Sequence, residues 1–76
     1  MKTEKQYRTE EQFIDIADNC NNGNWTDAAE LCVEFGFYAG DLIRYENENN
    51  SFSDGMEDVA ELIEIATKLR YQKQTN

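Results

Sequence analysis

The sequence predicts an all-α protein, a compact bundle of three to four short helices, and three observations carry that expectation. The 76 residues contain no proline, so no helix interior loses a backbone donor. Apolar residues return every three or four positions along most of the chain, the spacing that gathers them on one helical face. Strand signals, the strict alternation of β-branched and aromatic residues with polar ones, are essentially missing.

The elements follow in order. Thr9-Glu10-Glu11-Gln12 has the form of a capping box, with Thr9 as N-cap and Gln12 at the third helical position. Beyond it Phe13, Ile14, Ala17 and Cys20 share a face with Ile16 at its edge, and Gly23 offers the left-handed residue that closes a helix over 10–22. Asn24 is placed to cap a second helix, whose first turn holds Asp27 where a carboxylate favours the dipole. Its apolar stripe is Trp25, Ala28, Ala29, Cys32 and Phe35, and Gly36 stops it. Phe37 to Tyr45 reads as a shorter third helix with Leu42 and Ile43 inward and Asp41 and Arg44 outward. Glu46 to Ser53 is polar and Asn-rich and reads as a loop. Ser51 or Ser53 then caps a long helix over 54–72, striped by Met56, Val59, Leu62, Ile63, Ala66 and Leu69, with Lys68, Arg70 and Lys73 near its C-terminal end. The expected core is Phe13, Trp25, Phe35, Leu42, Leu62 and Leu69, in a single domain over 1–76 whose ends, 1–8 and 73–76, are expected to be flexible. Gly23-Asn24-Trp25-Thr26-Asp27-Ala28 resembles the turn and second-helix start of a tetratricopeptide repeat. That resemblance covers six residues and implies a tight antiparallel helix pair.

Charge narrows the function. Sixteen carboxylates against seven Lys and Arg give a net charge of −9, and there is no His. An excess of that sign repels phosphates, which argues against direct nucleic-acid binding. The missing His removes the commonest general base and metal ligand. The N-terminal stretch to Thr9 is polar with three basic residues, so no signal peptide is expected, and no stretch approaches the ~20 apolar residues of a membrane span. The chain therefore reads as cytoplasmic, with Cys20 and Cys32 as reduced, buried thiols on apolar helix faces.

Counting an EF-hand loop from Asp18 fits Gly23 at the sharp turn and lets Asp18 and Asn22 serve as ligands, but puts Cys20 where a hard oxygen is wanted and Ala29 where the bidentate Glu belongs. No metal or cofactor is expected. Paired carboxylates doing acid/base work need a cleft that a bundle of this size has little volume to form, so no enzyme is expected either. Phe37, Tyr38, Tyr45 and Phe52 offer an aromatic patch, and with it the alternative of a small acidic adaptor or regulatory module.

The acidic residues themselves remain. Fifteen of the sixteen lie between Thr9 and Thr67, where Arg44 is the only base, so that segment is net −14. Soluble helices ordinarily interleave the two signs, because like charges at helical spacing repel. Here the outward faces are rows of anions: Glu11, Asp15 and Asp18; Asp27, Glu30 and Glu34; Glu57, Glu61 and Glu64. Such rows suit either a solvated acidic surface or a partner with a basic groove. In size, acidity and these carboxylate rows the chain resembles the small phage- or mobile-element-encoded anti-defence proteins, the anti-restriction and anti-CRISPR inhibitors that mimic DNA. The resemblance implies an inhibitor in the host cytoplasm that acts by stoichiometric binding. The carboxylate rows themselves lead to the expectation of a non-enzymatic protein whose nine carboxylates pair with Lys and Arg of a basic nucleic-acid-binding groove on its target. Ile65, at the edge of the last stripe, would widen it into a homodimer contact.

Overall fold

The computed structural model describes residues 9–74 and folds them into four helices: α1 (Glu10–Asn21), α2 (Trp25–Phe35), α3 (Ala39–Asn49) and α4 (Met56–Gln74). No strand occurs among the described residues. The all-α bundle read from the sequence is the observed architecture. Residues 1–8 and 75–76 lie outside the described residues, and Lys73 and Gln74 continue α4 past its expected end at 72.

Local chemistry accounts for most of the boundaries. The Thr9 side-chain oxygen accepts the Gln12 N–H at 3.1 Å, and the Gln12 side chain accepts the Thr9 N–H at 3.1 Å, completing the expected capping box. At the other end of α1, Gly23 lies at φ +85°, its N–H donates to the Cys20 carbonyl, and the Asn24 N–H donates to the Asn19 carbonyl at 2.7 Å. This is a Schellman closure, and it satisfies carbonyls that the helix end leaves open. Gly36, at φ +78°, ends α2 in the same left-handed conformation. The α3 start is held by the Asp41 carboxylate, which accepts the Tyr38 N–H at 3.0 Å.

Helix α4 packs chiefly along α2 and also on α3, while α1 packs along α2 and touches α3. Phe13, from α1, is the centre of an aromatic cluster. Its ring stacks on Tyr45 with centroids 5.3 Å apart and meets Phe52 at 5.5 Å and Phe37 at 6.4 Å. Phe13, Ile16, Ala17, Ala28, Ala29, Cys32, Phe37, Leu42, Val59, Leu62 and Ala66 are all but sealed from solvent.

The structure corrects the sequence reading at several points. Ile16, expected at the edge of its stripe, is fully buried and Ile14 is exposed, because the α1 stripe runs 13-16-17-20. Phe37 and Phe52 enter the core, while Trp25, Phe35 and Leu69 pack on it only partly buried. Ile43 and Met56, expected inward, are each about two-fifths exposed. The segment 46–49, expected as loop, is the last turn of α3. Neither Ser51 nor Ser53 caps α4: Gly55, at φ +58°, directly precedes it, and the Asp58 carboxylate reaches back to accept the Asp54 N–H at 3.0 Å.

Candidate acidic interface

The interface begins with helical periodicity. A helix whose apolar stripe is buried turns its remaining positions to solvent, and carboxylates three or four residues apart on that side have their Cβ atoms ~5–6 Å apart. All nine carboxylates of the three rows are exposed: Glu11, Asp15 and Asp18 on α1, Asp27, Glu30 and Glu34 on α2, Glu57, Glu61 and Glu64 on α4. Each row runs along the solvent side of its own helix, opposite that helix's buried stripe.

Little positive charge faces these rows among the described residues. Lys68 reaches Glu64 at 3.6 Å, with both side chains about 70% exposed, and a pair that open to water stabilises by at most ~1 kcal/mol. Arg44 lies 3.8 Å from Asp41 on its own helix and over the Tyr45 ring. Arg70 is turned to structural work. Its guanidinium donates to the Cys32 carbonyl at 3.2 Å and to the Phe37 carbonyl, and it lies 3.9 Å from the Tyr38 ring centroid. It thereby ties α4 to the end of α2 and to the α2–α3 connection. The sequence reading had Arg70 complementing its own helix dipole; it closes the C-terminal end of a neighbour instead.

The aromatic patch does not survive folding. Of its four members Phe37 and Phe52 are buried and Tyr45 is half-buried against Phe13, leaving Tyr38 alone broadly exposed. The sequence hides this because Phe52 sits in a polar stretch whose inward turn depends on a buried carboxylate of α3 and an amide of α1. Those partners are the residues that sequence reasoning missed. Glu46, 2% exposed, accepts the N–H groups of Ser51 at 2.9 Å and Phe52 at 3.2 Å. The Asn21 amide donates to the Ser51 carbonyl at 3.0 Å and accepts the Ser53 N–H at 2.9 Å. A helical count continued past Leu42 through Tyr45 to Glu46 would have kept α3 intact, but nothing local marks Asn21 as a clasp.

The cysteines are free, buried and chemically quiet. Burial pushes both thiols up to about 12 from the ordinary 9.0. For Cys20 the neighbouring Cys32, Asp58 and Glu61 add to the burial; for Cys32 the Arg70 charge partly offsets it. The stretch considered for calcium is taken up by the α1 closure, where the Asn22 amide donates to the Asp18 carbonyl at 2.9 Å. Among the described residues no three His, Cys, Asp or Glu side chains are grouped to hold a metal ion, and no helix is long and apolar enough to cross a membrane. Compared with family models, curated proteins and solved structures, the chain matches none.

Proposed function

We propose that this chain is a non-enzymatic inhibitor that occupies the basic nucleic-acid-binding groove of another protein, such as a nuclease or a CRISPR effector. One observation carries the reading: nine exposed carboxylates in rows on three helices, with Lys68 beside Glu64 the one cation paired to a row member among the described residues. Duplex DNA presents one charge per ~1.7 Å of axis over both strands, and the regular spacing of carboxylates along each row imitates a short run of phosphates. Repulsion among the carboxylates works against a fold with little stability to spare. A basic partner repays that cost when the rows dock. Binding of this kind associates fast and weakens steeply with salt.

The test is competition. A partner captured from host cytosol at low salt is challenged with duplex DNA, and release of the acidic chain is followed. The expected result is displacement by DNA and by ~1 M salt, with binding lost in the triple variant Glu57→Lys, Glu61→Lys, Glu64→Lys. A partner that holds both ligands at once with unchanged affinity overturns the proposal.

A further inference from the structure

We propose that the face of α4 bordering α2 is a self-recognition surface, on which two copies of this chain pair through antiparallel α4 helices. A cleft of about 260 Å³ opens there, bounded by Thr26 and Ala29 of α2 and by Ile65, Lys68, Leu69 and Gln72 of α4. Ala29 is fully buried, while Ile65 and Leu69 pack on the core with part of their surface still open. The floor is thus apolar, and Ile65 lies at its edge.

Charge selects the occupant. Glu57, Glu61, Ile65, Lys68 and Gln72 follow one another at three- or four-residue intervals, so they form one stripe along α4. The stripe is acidic before Ile65 and carries Lys68 after it. Neither α1 nor α2 contains a Lys or Arg, the single Arg44 of α3 stands between Asp41 and Glu46 so that helix does not divide by sign, and Lys68 is held only by a solvent-exposed pair with Glu64 of its own helix. Helix α4 is therefore the one helix whose exposed side carries both signs in separate halves. Laid antiparallel on a second copy, such a helix sets Glu61 opposite the partner copy's Lys68 twice over, and brings the two Ile65 side chains together near the two-fold axis. A parallel arrangement would set Glu on Glu. An isologous dimer needs this kind of self-complementary patch. The pairing draws Glu57 and Glu61 into the seam, so self-association and a basic target would compete for the α4 row while the α1 and α2 rows stay free.

A seam of one helix per copy falls at the small end of specific interfaces, below about 1,200 Å² in total, so association is expected at micromolar to near-millimolar concentration. Sedimentation equilibrium of the full chain, from about 10 μM to about 1 mM, reads it directly. The expected result is an average mass rising from 8.9 kDa toward twice that value. Lys68→Glu alters an exposed side chain and leaves the core intact; it should weaken association about tenfold by breaking two cross-pairs. Arg44→Glu makes the same change in net charge away from the seam and should leave association within about twofold. The double variant Glu61→Lys, Lys68→Glu, which re-forms the pair with signs exchanged, should restore it. A mass of 8.9 kDa throughout, equal weakening by Arg44→Glu, or a double variant that stays monomeric overturns the proposal. Each of these outcomes leaves the DNA-competition reading standing, because that reading is tested on a different partner.

Discussion

Glu46 shows what one residue can decide. Phe52 reaches the Phe13 ring only if the chain after α3 turns inward, and that turn carries the N–H groups of Ser51 and Phe52 away from water. Buried donors need acceptors, and the Glu46 carboxylate supplies them both. It does so at the end of its own helix, where a negative charge opposes the dipole, so these hydrogen bonds offset an unfavourable position. Glu46→Ala should cost about 2–4 kcal/mol, since two donors are left unpaired, and Glu46→Gln clearly less, because the single oxygen Oε1 that accepts both N–H groups is kept and only the charge is lost. Urea denaturation of the three proteins checks the order. Equal stability for Glu46→Ala and the parent would show that solvent, not the carboxylate, satisfies the turn.

At the scale of helices, the legible features were those written in neighbouring residues. The Thr9–Gln12 box and the glycines at 23 and 36 were readable because each motif spans six residues or fewer and needs no tertiary partner. The outward rows were readable for the same reason: they are the complement of the apolar stripes. The Asn21 clasp and the Arg70 tie were not, since each joins residues more than thirty positions apart, and the Glu46 cradle, though local, depends on Phe52 turning inward onto Phe13. Facing α1 and α2 also bury the two thiols, and this gives the helix pair a pH signature. With folded values of about 12 against an ordinary 9.0, the folded state keeps protons that the unfolded chain releases above pH 9.0. Stability is therefore intact below that value and falls as pH climbs from 9.0 toward 12. The melting temperature should drop across this range, and the drop should shrink in the Cys20→Ala, Cys32→Ala double variant. Identical slopes for the two proteins would mean the thiols titrate alike in both states.

The whole molecule is a small body with a large charge. Its radius of gyration is 12.2 Å, while the Debye length is about 30 Å at 0.01 M salt and about 10 Å at 0.1 M. In dilute buffer every carboxylate therefore feels every other across the bundle, and the ion pairs Arg44–Asp41, half open to water, and Lys68–Glu64, fully open to it, do little to relieve them. Folding gathers these charges, so it is opposed by their repulsion. The melting temperature should rise by several degrees as salt increases from about 0.01 M to about 0.3 M, because the screening length shrinks over that range from beyond the molecular radius to well inside it. Scanning calorimetry over that series checks it. A flat or falling curve would mean that local pairing already balances the surface.

The closure of α1 at Gly23 also governs how the chain ages. An asparagine followed by glycine is prone to lose its side-chain amide as ammonia, because the glycine nitrogen, unshielded by a Cβ, attacks the amide carbon and closes a cyclic imide. In Asn22–Gly23 both reactants are held apart from that path. The Gly23 N–H donates to the Cys20 carbonyl, and the Asn22 amide is bound to the Asp18 carbonyl. Imide formation has to wait for the turn to open, so the damage rate reports local fraying of the helix end. Once it occurs, hydrolysis leaves aspartate or its isomer beside Asp18, and the oldest molecules in a population become the most acidic.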